Sequence, residues 1–385
     1  MSVYLDAAAT TKPKQEVIEA MIPYLTEYWY NPSSLYGQSA NVKDDVEKAK
    51  KVIANFIGAK SDEIYMTSGG CEGNSLAIQG FINNSYAKAR NPVVITSMIE
   101  HKSIIECVES LLVNTDDLFY IPVNKEGFVD IECLEKILKY NKRSYLNDVL
   151  VSIQFANSEI GTIQYIKDIA EIVHKYDAVF HTDAVQAIPH ISIDVNNLDV
   201  DMLTASGHKL GCPKGIGFLY KRNCVEIKPL IYGSQMGGLR GGTENVAGII
   251  GLAKAIGLCD TSYKKNTELN NKRSYFVQQL IKEFGCDING AAISRIPNNI
   301  SATFSQNITG ESLLYILDLS NIMISTGSAC DSQSIEPSRV LKAIGLSDIN
   351  AMKTVRFSLP DDITYGQIDY VIEEIKKSIK LIENN

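Results

Sequence analysis

Lys209 stands in SGHKLGCPKGIGFLY, residues 206 to 220, where a run of small residues ends and Gly and Pro delay any helix. A lysine held there and partly desolvated has a depressed pKa and can form a Schiff base with an aldehyde. A surface lysine in a glycine loop would have the same neighbours. Asp183 closes the apolar run AVFHTD. A carboxylate at the end of a buried strand is costly without a partner, and a protonated pyridine nitrogen is one that suits it; an aspartate capping a helix would read the same way. Gln186 follows one turn on, within reach of a ring hydroxyl. The third segment, TSGGCEGNSLAIQGF from 67 to 81, joins a strand end, a glycine pair and a helix starting near Cys71 or Glu72. Its amide groups and positive helix end suit a phosphate, with Ser206 and His208 closing the cup. Many such turns bind nothing, and the nucleotide P-loop pattern is missing.

Cys330 differs from the other seven cysteines in its setting. It lies in STGSACDSQSIEPS, small and polar residues without apolar periodicity, which predicts a loop and an exposed thiol. The eight cysteines are scattered, with no CxxC pair, as expected of free thiols in a reducing cytoplasm.

The elements that must hold these residues are legible as alternating patterns. VIEAMIPYLTEYW and DDVEKAKKVIANFIG carry apolar residues at helical spacing, and Gly58 suits the end of the second. PVVIT, VLVSIQF, AVFHTDA and DMLTASG read as short buried strands separated by helices such as KDIAEIVHKYDA. The expectation is an α/β fold with a mostly parallel sheet covered by helices on both faces, and ligands beyond the C-terminal strand ends. After about Thr261 the texture shifts to a polar helix, the short strands NNISATF, NIMISTG and TVRFSL, and a closing helix. That predicts a large domain over 13–258 and a smaller α+β domain built from 1–12 and 259–385.

Composition bounds the remaining possibilities. The chain has 385 residues, 45% hydrophobic and 21% charged, enough for two cores. A net charge of −8 and a pI near 5.3 argue against a direct nucleic-acid binder. No export signal opens MSVYLDAAATTK and no apolar run is long enough for a membrane span, so a cytoplasmic location is expected. No metal-ligand cluster is visible.

Phosphate seat, strand-end aspartate and lysine fall in the chain order of a fold-type I pyridoxal-phosphate enzyme. YLDAAATT, NPSS, TSGG, EHKS, NSEIG, HTDAVQ, SGHK, RGGTEN, STGSACDSQSIEPSRVLKAIG and VRFSLP run in order from residue 4 to 360. Together they resemble the class V aminotransferase superfamily, and within it cysteine desulfurases of the long-loop group. The resemblance implies that Lys209 bonds pyridoxal 5′-phosphate, Asp183 pairs with the ring nitrogen, Gln186 meets the ring oxygen, and His101 stacks on the ring and serves in proton transfer. Gly70, Cys71, Ser206 and His208 would hold the phosphate, and Thr243 would reach the partner's phosphate across a homodimer. Arg356 would clamp the α-carboxylate of L-cysteine, with Asn157 a second carboxylate or ring-oxygen contact. Cys330 would take the sulfur as a persulfide, release alanine, and pass the sulfur to an acceptor protein, an iron–sulfur scaffold or a tRNA-thiolation enzyme. A selenocysteine lyase, a cysteine sulfinate lyase or an aminotransferase of the same superfamily are the alternatives.

Several positions depart from the family pattern. Cys71 replaces a phosphate-seat threonine, Tyr36 a histidine after NPSS, and Cys212 a glycine near the lysine. The stretch Tyr232–Gly238 is shorter than the usual glycine-rich run and lacks its arginine. These changes leave the acceptor open.

Overall fold

The computed structural model describes residues 1–112, 115–326 and 337–383. Its centre is a seven-stranded sheet. With β1 being Val3–Tyr4, the sheet comprises β2 (Ile64–Thr67), β3 (Asn91–Ser97), β4 (Leu118–Ile121), β5 (Asn147–Ser152), β6 (Val179–Asp183), β7 (Met202–Ser206) and β8 (Gly217–Lys221) in the spatial order β2-β8-β7-β6-β5-β3-β4. Only the pairings of β8 with its two neighbours are antiparallel. Both faces are buried because side chains alternate across the pleat. Val93, Ile95, Val149, Val151 and Leu203 pack with Ile53, Leu138, Val173 and Leu252 on one side. Val94, Leu150 and Met202 pack with Leu76, Ile78 and Ile104 on the other. Continuous apolar strands are what such a two-sided burial requires.

Local signals place the flanking helices. The helix Gly37–Phe56 starts seven residues before the DDVEK run that marks it in the sequence. Gly58 follows it at φ +71°, where a Cβ would lie 2.8 Å from Asp194 Oδ1, so glycine is the residue that fits. The apolar run VLVSIQF is longer than its strand. β5 stops at Ser152, and the backbone beyond it continues along β6, with Ile153 N–H donating to the His181 carbonyl and Phe155 N–H to that of Asp183.

A separate hydrophobic cluster gathers Val3 and Leu5 with Leu269, Phe276, Phe284, Ile300, Phe357, Val371 and Ile375. It covers the sheet β9 (Asp287–Ile288), β10 (Asn299–Thr303) and β12 (Thr354–Ser358), ordered β12-β10-β9, and the pair of β1 with β11 (Ile322–Met323). In the described part of NIMISTG the strand is Ile322–Met323, paired in parallel with Val3–Tyr4, and Ser325 bridges Arg356. Residues Asp6 to Thr11 leave this cluster and cross to the C-terminal ends of β6 and β7.

Candidate active site

Four of the large sheet's parallel strands, β3, β5, β6 and β7, end in polar residues, Ser97, Ser152, Asp183 and Ser206, all at the sheet's C-terminal side. Lys209 sits in a 3-10 turn, Gly207–Lys209, directly after β7. Its Nζ donates to the backbone carbonyls of Ala8 at 2.5 Å and Ala9 at 2.7 Å. Gln186 Nε2 donates to the same Ala8 oxygen at 3.0 Å. The crossing segment is held on both sides: Thr11 Oγ1 donates to the His208 carbonyl, and His208 Nδ1 lies 3.2 Å from Thr10 Oγ1. Burial, with the Lys209 and Lys214 cations adding to it, pulls the His208 pKa down to about 4. Its ring is therefore neutral at pH 7.

Asp183 is 8% exposed. Its Oδ2 accepts from Asn74 Nδ2 at 2.8 Å and its Oδ1 from the Val185 amide at 2.9 Å. No cation pairs with it among the described residues. Asn74 Nδ2 also reaches Ser103 Oγ at 3.0 Å, and Ser103 Oγ lies 2.8 Å from His101 Nδ1. His101 caps the helix Lys102–Leu111, its Nδ1 accepting from the Ser103 amide, so a neutral ring carries its proton on Nε2. Gly70 begins the helix Gly70–Ala87 at the end of β2. A Cβ there would stand 2.9 Å from Val185 Cγ2, and one on Gly69 would stand 3.6 Å from Ser206 Oγ. The glycine pair thus keeps open a cradle of backbone amides between β6 and β7. Cys71 is exposed in the helix's first turn, and Arg240 pairs with Glu72 in the same turn at 2.8 Å.

Arg356, on β12, is 4% exposed. Its Nη2 donates to Asp6 Oδ1 at 2.7 Å and its Nη1 to the Ser158 carbonyl at 3.2 Å. Its backbone pairs with Ser325. Asn157, expected to face a ligand, is fully buried and largely committed to the protein. Its Oδ1 accepts from the Glu159 and Ile160 amides and its Nδ2 donates to the Ile99 carbonyl. The structure brings together Lys209, Asp183, Gln186, Ser206, His208, Gly70 and His101. Thr243 is exposed in the stretch between Gly233 and Asn245, and Cys330 lies outside the described residues.

Three residues of this site escaped the sequence reading: Asn74, Asp6 and Glu100. Glu100 is 5% exposed; its oxygens accept from Ser97 Oγ at 2.5 Å and from the Gln154 amide at 3.0 Å. Gln154 Nε2 in turn bonds the Ile99 carbonyl at 2.7 Å, locking the turn that carries His101. Burial, reinforced by the Asp183 charge, pushes the Glu100 pKa up to about 8. A raised carboxyl pKa contributes stability that is present below its unfolded value, near 4.3, and lost as pH rises through about 8. Glu100→Gln is accordingly expected to gain stability relative to the native protein between these limits. Urea unfolding across that range checks it; a difference independent of pH would contradict it.

The arrangement can bind an anion at the glycine cradle, hold a cationic ring nitrogen at Asp183, and present an amine and a carboxylate clamp to one small molecule. These features define the class. The chain belongs to the aminotransferase class-V family, whose model matches residues 3–371. Among curated proteins it is 43% identical to the cysteine desulfurase IscS of Dictyoglomus turgidum, over 98% of this chain and 94% of that one. Among solved structures it is similar to a NifS-like protein, with a TM-score of 0.90 and 33% identity over 99% of this chain and 100% of that chain. It is also similar to SspA in complex with cysteine, with a TM-score of 0.81 and 32% identity over 94% and 99% of the two chains. No helix of the described residues is long and apolar enough to cross a membrane. Among the same residues no group of three or more His, Cys, Asp or Glu side chains could hold a metal ion.

Proposed function

We propose that this chain is a cysteine desulfurase that works with pyridoxal 5′-phosphate and takes sulfur from L-cysteine onto Cys330. One observation carries the reading: both flanks of segment 327–336, which contains Cys330, are tied to the amino-acid site. Ser325, at its entrance, pairs with Arg356 through two backbone hydrogen bonds. Ser338, at its exit, donates to Glu159 Oε2 at 2.5 Å, in the NSEIG turn whose Ser158 carbonyl receives Arg356.

The residues present fit the cofactor. Asp183, buried and without a cation partner among the described residues, would accept from the protonated ring nitrogen; Asn74 and the Val185 amide keep its carboxylate aimed. The Gly70 and Cys71 amides, Ser206 and neutral His208 surround a phosphate. Lys209 bonds the aldehyde carbon, Gln186 meets the ring oxygen, and His101 covers a ring face. When bound, the cofactor supplies an electron sink for the carbon skeleton of the amino acid. Arg356 holds the substrate carboxylate, with Asn157 contributing its remaining N–H, and Cys330 attacks the substrate sulfur as a thiolate. An S–S bond forms, the C–S bond breaks, and the carbon skeleton takes up a proton to leave as alanine. Lys209 and His101 are the groups placed to move protons.

Thr243, exposed on the single chain, meets the partner's phosphate in a homodimer. The division into 13–258 and 1–12 with 259–385 lets the second unit carry Arg356 and the Cys330 segment against the first. The sulfur passes to an acceptor protein in the cytoplasm, either an iron–sulfur scaffold or a tRNA-thiolation enzyme.

The test is product analysis. The reconstituted protein should release alanine and sulfide in equal amounts from L-cysteine with a thiol reductant present. A protein that stays colourless with the cofactor, or releases alanine without sulfide, overturns the reading. Asn74→Ala is expected to weaken cofactor retention by about ten- to a hundredfold, since a buried charge-assisted hydrogen bond is worth about 1.5–3 kcal/mol. Equilibrium dialysis of the cofactor measures it.

A further inference from the structure

The surroundings of Arg356 hold more charge than a carboxylate clamp requires. A guanidinium that is 4% exposed needs a counter-anion, and Asp6 supplies one at 2.7 Å. The Asp6 carboxylate is itself anchored: its residue bridges Ser358 on β12, and Tyr4 Oη donates to its carbonyl at 2.9 Å. Ser158, which receives Nη1, is braced by Asn299 Nδ2 at 3.2 Å. The Arg356 Nε is buried and has no partner among the described residues. It is a donor that the protein leaves for another acceptor. Glu159 lies nearby, but its carboxyl bonds Ser338 and not the guanidinium.

We propose that Asp6 is a positioning residue that sets the affinity for the amino-acid carboxylate. This rests on the reading of Arg356 as the carboxylate clamp. Asp6 and the Ser158 carbonyl hold the fork in one orientation, leaving its Nε donor for the substrate. The bound carboxylate then stands beside a second anion, so two carboxylates share one guanidinium and each weakens the hold on the other. Alanine leaves with the same carboxylate that L-cysteine brings in. A clamp moderated by Asp6 therefore favours product release, which a lone buried guanidinium would retard.

The experiment titrates holoenzyme with L-alanine, which carries the carboxylate but no sulfur, and follows the visible absorbance of the cofactor. Asp6→Asn keeps the size and the acceptor but removes the charge. It is expected to lower the Kd for L-alanine about tenfold, the effect of removing one like charge at a few ångströms in a partly screened site. The KM for L-cysteine should fall with it, without a parallel rise in kcat. Asp6→Glu and Asp6→Gln form a second pair of equal shape, so a variant that fails to fold does not decide the outcome. The glutamine member should bind L-alanine about tenfold more tightly than the glutamate member. Equal or weaker binding by the neutral member of either folded pair overturns the proposal. Arg356→Ala separates the two readings. If it binds L-alanine like the native enzyme, the clamp itself is wrong. If it loses binding while the neutral Asp6 variants match their charged counterparts, only the role of Asp6 falls.

Discussion

Cys330→Ala is expected to abolish sulfide release from L-cysteine, by about a thousandfold or more, while the cofactor's absorbance is retained. The size follows from the proposed role: if the thiolate accepts the sulfur, the C–S bond has no nucleophile to break it once the thiol is removed. None of the seven described cysteines is suited to the task. Cys212 and Cys286 are buried, which pushes each thiol pKa up to about 12. Burial also raises the pKa of Cys107, Cys133 and Cys259. Cys224 is exposed but lines a cavity with Asp148, Arg222 and Glu226, at the opposite edge of the sheet from Asp183 and Ser206. Cys71 belongs to the glycine cradle. Mass spectrometry of the native protein after brief exposure to L-cysteine should find one added sulfur atom on the peptide containing Cys330. Sulfur found on another cysteine would move the acceptor role to that thiol, and full turnover in the variant would make the enzyme a lyase that needs no protein thiol.

Lys209→Ala should be the more general loss, removing turnover by about ten-thousandfold and the covalently held chromophore together. Under the proposed function, lysine at this position has two jobs that alanine cannot perform: it would bond the aldehyde carbon and carry a proton at the reacting carbon. The expected contrast with Cys330→Ala is spectroscopic, since one variant keeps the native absorbance and the other does not. Lys209→Arg tests whether charge alone suffices. A guanidinium retains the cation and can reach the Ala8 and Ala9 carbonyls but forms no stable imine, so it should fail like alanine. Borohydride reduction of the native holoenzyme, followed by peptide mapping, identifies the bonded lysine. Label on any residue other than Lys209 would remove the assignment.

The contrast between the legible and the hidden parts of the site is physical. Asp183, Ser206 and Lys209 could be picked out because each ends or follows a short apolar run, and a polar group there lies at the edge where a parallel sheet meets its ligand. Asn74 gave no such signal. It sits inside a helix, and what marks it is a hydrogen bond to Asp183, 109 residues away. Asp6 is separated from Arg356 by 350 residues, and Glu100 from Gln154 by 54. Periodicity reports only neighbours within a few residues, so contacts of this range leave no trace in it. Asn157, which only the family resemblance offered as a ligand contact, spends three hydrogen bonds on the backbone of its own turn and of Ile99, a commitment that no periodicity reports.

What the chain determined unaided was the two-sided sheet, through strands apolar on both faces, and a short set of candidate reactive groups, through motifs whose order resembles a known family. What only the tertiary structure decided was the path of residues 6 to 11, which places Asp6 on Arg356 and the Ala8 and Ala9 carbonyls on Lys209. Every residue owns a backbone carbonyl, so an alanine that holds a catalytic amine looks like any other alanine until the fold brings the two together.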